Sequence, residues 1–206
     1  MTFKGWKAEA LEFFDGLEAD NSKVYWQAHK AFYDAEVLAP MKALVAELEP
    51  AWGTGKIFRP YRDVRFSADK TPYKTTIAAM VGRGYVQLDA NGLAAGVGMW
   101  EIPPAQIEAY RQAVVGDRSG RKLAAIVAKT RAAGYGLMSR ETLKSTPRGY
   151  PKNHARIELL RMKGVAAWGE WPAGAWLGTA KAKDRVTEFF KAAKPLSDWL
   201  ETNVGD

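Results

Sequence analysis

The chain has 206 residues and no cysteine, which excludes a disulfide framework, a thiolate nucleophile, Cys-ligated zinc and iron–sulfur clusters. Apolar residues make up 47% and charged residues 26%, the balance of a packed globular protein rather than a disordered one. The formal net charge of +7 invites anionic partners without selecting one.

Glu9, Glu12 and Asp15 interrupt any secretion-signal core near the start. No window reaches the roughly 18 uncharged apolar residues of a membrane span, so a cytoplasmic protein with no membrane partner is expected. Phe3, Trp6, Ala10, Phe13, Phe14 and Leu17 fall at helical spacing, and Gly16 with Asp20-Asn21-Ser22 supplies a stop and a new N-cap. Val24, Ala28, Ala31, Ala35 and Leu38, then Met41, Leu44, Val45 and Leu48, trace a second stripe, which Pro40 must kink or restart and Pro50 closes. Thr75 to Val81, Tyr85 to Asp89 and Leu93 to Met99 read as strands, with Asn91-Gly92 suited to a tight hairpin turn and antiparallel pairing.

Pro103-Pro104 then opens a helix carrying Ile107, Tyr110 and Val114 and ending at Gly116, and Leu123, Ile126, Val127 and Thr130 mark another that ends at Gly134. Ile157, Leu160 and Arg161 suggest a short helix closed by Gly164, Val165 to Trp168 a strand, and Val186 to Leu200 a C-terminal helix kinked by Pro195. Helices on both sides of a run of hairpin strands predict an α+β fold, with helices packed on an antiparallel sheet. No linker or internal repeat divides the chain, so residues 1–206 are read as one domain.

The charge is concentrated. Lys56 to Lys74 holds six basic residues against two acidic ones, a local +4, and Arg140 to Lys163 holds seven against two, a local +5. In the first block, Phe58 to Ser67 would, if extended, put Tyr61, Asp63, Arg65 and Ser67 on one face and Arg62, Val64 and Phe66 on the other. Asp69-Lys70-Thr71-Pro72 reads as a turn. Arginine forks and lysine point charges on such a turn suit phosphate or carboxylate. The alternative is an ion-pair network of Arg62, Asp63, Arg65 and Asp69 that pins the turn in place.

The stretch Phe58-Arg59-Pro60-Tyr61-Arg62-Asp63-Val64-Arg65-Phe66-Ser67-Ala68-Asp69-Lys70-Thr71-Pro72-Tyr73-Lys74 closely resembles the signature of the family known as domain of unknown function 2461. Leu143 to His154 and Ile157 to Lys163 resemble its second block, and the Asn21 to Tyr33 helix and the Gly92 to Met99 strand fit as well. The resemblance implies that the two blocks are halves of one site and hands no position a catalytic role.

Gly82-Arg83-Gly84 and Gly92 to Gly98 lack the Gly-Lys-Ser/Thr ending and strand-to-helix context of a phosphate loop, and read as bulges or close packing. No hydrolase or two-metal motif is present, and the basic neighbours of Asp63 and Asp69 disfavour a cation, so neither metal nor cofactor is expected. His29 reads as a packing residue, whereas His154 lies inside the second basic block. Trp6, Trp26 and Trp199 fit helix stripes; Trp168, Trp171 and Trp176 read as the edge of the core.

These residues define one expected cleft for an anionic small molecule, with Arg62, Arg65, Lys70, Tyr73, Lys74, Arg148 and Tyr150 as ligand-binding candidates and His154 or Tyr73 as proton-transfer candidates if the protein is an enzyme. A nucleic-acid-binding module would use the same cations on phosphates and Tyr61, Tyr73 and Tyr150 on bases. A protein-interaction scaffold would use the blocks as structural ion pairs.

Overall fold

The alternation of small and branched apolar residues from Thr76 onward builds the sheet. In the computed structural model, which describes residues 2–65 and 68–205, β2 (Thr76–Val81) and β3 (Gly84–Asp89) pair antiparallel with Thr76 opposite Asp89 and Val81 opposite Gly84. Ile77, Ala79, Val81, Val86 and Leu88 are buried, and Thr76, Met80, Tyr85, Gln87 and Asp89 are only partly covered, a period-two alternation broken by Ala78, which is buried as well. The chain turns at Asn91 into β4 (Gly92–Met99), and the Asp89 carboxylate accepts the Asn91 N–H at 2.8 Å. With β1 (Gly55–Ile57), β5 (Gly136–Met138) and β6 (Val165–Pro172), these strands form a six-stranded antiparallel sheet in the order β1-β2-β3-β4-β6-β5. The fold is therefore α+β. At three residues each, β1 and β5 are too short for the alternation that announces the others.

The chain divides into two compact units. The first comprises residues 2–95 and 170–188. Its first helix, α1 (Glu9–Ala19), begins later than the spacing predicts, because Phe3 and Trp6 are buried in irregular chain ahead of it. Gly5 lies at φ +95°, where a Cβ would strike the Leu177 and Gly178 backbone, and the Trp6 N–H donates to the Leu177 carbonyl at 2.9 Å.

Ser22 caps α2 (Lys23–Phe32) by accepting the Tyr25 N–H at 3.1 Å. Pro40 cannot donate to the Glu36 carbonyl, and the chain answers with a π-helical turn, Tyr33–Leu38, in which the Ala39 N–H reaches the Asp34 carbonyl. Beyond it, α3 (Ala39–Trp52) passes through Pro50 rather than closing there. The first half of the stripe differs from its prediction: Val24 is 77% exposed, and Trp26, Tyr33 and Val37 are buried instead, whereas Met41, Leu44, Val45 and Leu48 are buried as expected. The aromatic rings offer far more apolar area than the alanines that fit the same periodicity, and they set the phase.

The second unit comprises residues 96–169 and 189–205. It holds α4 (Ile107–Val115), α5 (Asp117–Ala132), α6 (Ile157–Arg161) and most of α7 (Lys181–Asn203), which continues through Pro195. Its centre is Trp199, whose indole donates to the Ser119 carbonyl at 2.9 Å and meets the Tyr110 ring edge-on at 6.3 Å. Tyr110 in turn donates to the Leu159 carbonyl at 2.9 Å. Among the described residues no helix is long and apolar enough to cross a membrane.

Candidate functional site

The first basic block is an excursion between β1 and β2. Its arms pair where Tyr61 faces Tyr73 in an antiparallel bridge, flanked by hydrogen bonds from the Arg62 N–H to the Pro72 carbonyl (2.9 Å) and from the Lys74 N–H to the Pro60 carbonyl (2.8 Å). The Tyr73 N–H and C=O are taken by the side-chain amide of Asn21, and its ring stacks on Trp26 at 4.5 Å and 11°. Tyr73 is 5% exposed, and burial raises its hydroxyl pKa. The packing reading of this tyrosine is the one the geometry favours over stacking on a ligand.

At the tip, Arg62 pairs with Asp69 and donates to the Thr71 hydroxyl at 2.8 Å. Asp69 Oδ1 also accepts the Thr71 N–H (2.9 Å) and hydroxyl (2.7 Å); these bonds, with Arg62 beside them, hold its carboxyl below the usual range. Arg65 grips both oxygens of Asp63, at 2.9 Å from Nε and 2.7 Å from Nη2, and this fork lowers the Asp63 pKa. Lys70 donates to the Val64 carbonyl at 3.0 Å. The expected two-faced strand over this stretch does not form as far as Arg65, and Phe66 and Ser67 lie outside the described residues.

Lys74 differs from its neighbours. Its ammonium lies 5.5 Å from the Phe58 ring centroid, and its pKa is lowered first by burial and then by the charge of Arg59. Among the described residues neither Lys74 nor Arg59 forms an ion pair. Sequence reasoning counted Arg59 in the charge total and left it out of the site; only the pairing of the two arms shows that it neighbours Lys74.

The second basic block belongs to the second unit. Arg148 is exposed beside Gly149, which takes φ +87° in a turn closed by the Tyr150 N–H donating to the Pro147 carbonyl. Tyr150 donates to Glu108 at 2.8 Å and accepts from Gln112 at 3.2 Å, and its pKa is pushed up to about 12 by burial and then by Glu108. The His154 Nδ1 accepts the Arg156 N–H at 3.1 Å, which leaves the proton of the neutral ring on Nε2. Arg156 donates to the Val114 (2.7 Å) and Val115 (3.0 Å) carbonyls, satisfying the C-terminal end of α4.

An α+β sheet protein that carries a tyrosine-paired basic excursion in one unit and a second basic loop in the other is what fold and side chains define. The chain belongs to the family described as conserved hypothetical protein (DUF2461), whose model matches residues 9–199. No curated protein and no solved structure matches it.

Proposed function

We propose that the first basic block binds a small phosphate- or carboxylate-bearing ligand, with Lys74 and Arg59 as its contacts. The observation that carries this reading is a pair of neighbouring cations without a carboxylate partner, next to a tip where Arg62 and Arg65 are each paired. Two like charges held together are unfavourable until an anion joins them. Arg62 and Arg65 shape the tip through their ion pairs, and Lys70 adds to the local potential, rather than gripping the ligand. Arg148 and Tyr150, in the second unit, are further candidates, with Arg148 exposed there.

Binding to the folded state alone raises the melting temperature by mass action, so phosphate or sulfate at constant ionic strength should raise it for the native chain. Lys74→Met and Arg59→Met should remove that rise, and Arg65→Met, which breaks a pair already satisfied, should keep it. The same ion pairs favour a second reading, a purely structural network. A melting temperature indifferent to either anion in all four proteins establishes that reading and ends the first. Oligonucleotide binding that weakens by about tenfold or more between roughly 50 and 200 mM salt, without a phosphate effect, transfers the block to the nucleic-acid class.

A further inference from the structure

In the second unit two segments run alongside each other in opposite directions. The Ile102 N–H donates to the Lys163 carbonyl at 2.8 Å, Tyr110 donates to the Leu159 carbonyl at 2.9 Å, and Arg156 donates to the Val114 carbonyl at 2.7 Å. Residues 102–114, which enter α4, are thereby laid along residues 156–163, which contain α6. One loop bridges this seam. Its Leu143 N–H donates to the Arg161 carbonyl at 2.8 Å, and further on its Tyr150 hydroxyl donates to Glu108, one helical turn before Arg111. Arg111 is close enough to Tyr150 to oppose Glu108 in setting the acidity of that hydroxyl.

Arg111 and Arg161, at the two ends of the loop, are half-buried, and the Nε of each is buried with no acceptor. Among the described residues neither side chain makes a hydrogen bond or an ion pair. Other arginines of this unit do find partners: Arg156 takes backbone carbonyls, Arg140 pairs with Glu101, and Arg131 pairs with Glu158 at 3.5 Å. A buried donor left unbonded is costly, and two of them on one seam point to an acceptor from outside the chain. The atom concerned is the same in both. Nε together with Nη2 is the edge by which Arg65 grips the two Asp63 oxygens at 2.9 and 2.7 Å, and at Arg111 and Arg161 no protein group takes that edge.

We infer that the second unit binds a small carboxylate-bearing molecule, with the Nε edges of Arg111 and Arg161 as its forks. A planar carboxylate meets such an edge with two parallel hydrogen bonds. Lys144 and Arg148, both exposed on the bridging loop, add positive charge at the rim. Glu108 disfavours phosphate: Arg111 helps to hold this carboxyl below the usual range, and the resulting charge repels a dianion concentrated in one group more than it repels a carboxylate. The site uses neither Lys74 nor Arg59 and so does not rest on the first block.

The test is calorimetric titration with succinate, at constant ionic strength, of the full chain carrying Arg59→Met and Lys74→Met, in which the first block no longer contributes. One saturable site is expected. Adding Arg111→Met or Arg161→Met should each weaken it by about tenfold or more, and Arg111→Lys, which keeps the charge and loses the fork, should weaken it as well. Without succinate neither Met variant should melt below its parent, since no protein hydrogen bond is lost and Met replaces the apolar stem. Absence of saturable succinate binding, equal affinity for inorganic phosphate, or undiminished binding in both Met variants would each overturn the inference. A lowered melting temperature in both Met variants without succinate would do so too, because protein groups would then already hold the two guanidinium ions. None of these outcomes depends on whether phosphate binds at Lys74, which the parent chain lacks.

Discussion

Asn21 finishes the backbone of Tyr73: its side-chain nitrogen donates to the Tyr73 carbonyl at 3.1 Å and its side-chain oxygen accepts the Tyr73 N–H at 2.9 Å, across a separation of 52 residues. The bridge to Tyr61 leaves both Tyr73 groups pointing away from their partner arm, so without Asn21 two part-buried backbone groups have nothing to bond. One amide at the turn between α1 and α2 thus acts as a missing strand and fixes the base of the basic excursion.

Asn21→Ala should therefore cost about 1–3 kcal/mol, the penalty of orphaning buried polar groups, and lower the melting temperature by roughly 2–10 °C. Asn21→Asp, which keeps the acceptor and loses the donor, should be destabilised as well. Denaturant unfolding of the three proteins checks this. An Asn21→Ala midpoint equal to that of the native chain would show that water replaces the amide at no cost.

Gly82 makes a second, sharper demand on the sheet. It takes φ +55° in the turn between β2 and β3, where a Cβ would collide with the Trp52 carbonyl, and its N–H donates to the Thr54 carbonyl at 3.0 Å. Gly82→Ala must move backbone as well as accept a left-handed residue, a combined cost of about 3 kcal/mol. Gly149→Ala, at φ +87° with nothing within 4 Å of its Cβ, carries only the conformational part, so its loss should be clearly the smaller of the two. Equal losses would refute the collision.

These two cases mark where sequence stops informing. The strands from Thr76 to Met99 and the turn at Asn91 were legible because alternation and an Asn-Gly pair are local signals. Asn21 looked like one residue of a stop-and-cap motif, and nothing within ten residues of it hints at Tyr73. The same limit applies to the site: spacing isolated the two basic blocks, but which cations are neutralised depends on Arg62 meeting Asp69 and Arg59 lying near Lys74. Helix phase failed for a different reason, since the alanines of the Val24 stripe satisfy a period as well as Trp26 and Tyr33 do, and only buried area separates them.

Acid stability should depend on Glu47. It accepts the Phe3 N–H at 2.7 Å and pairs with Lys183 at 2.6 Å, and these bonds lower its pKa from the ordinary 4.5. A carboxylate with a depressed folded pKa contributes stability that is fully present above its unfolded value and is lost as pH falls through the folded one. Glu47→Gln should hence be less stable than the native chain near neutrality, and the gap should narrow steadily below about pH 4.5. Melting curves between neutrality and acid read this directly; a gap independent of pH would mean that the pair contributes shape and no charge.

Tyr150 governs the alkaline side with the opposite sign. Its phenol is pushed up to about 12 by burial and by its bond to Glu108, so an unfolded tyrosine ionises near 10 while the folded one still holds its proton. The stability it contributes is complete below pH 10 and drains away as pH rises toward 12, because the unfolded chain alone gains by releasing the proton. Tyr33, also raised to about 12 by burial, acts in the same window, which makes the informative quantity the difference between proteins rather than one curve. Tyr150→Phe should flatten the fall in stability across that window, and Glu108→Gln, which removes the second cause and leaves the burial, should flatten it by less. Phenolate absorbance in the native chain should show a late-titrating component whose amplitude falls by one tyrosine in Tyr150→Phe, with Tyr33 still titrating there. If the three stability curves instead run parallel, Tyr150 is released from Glu108 in solution, and its hydroxyl is then available to a ligand beside Arg148.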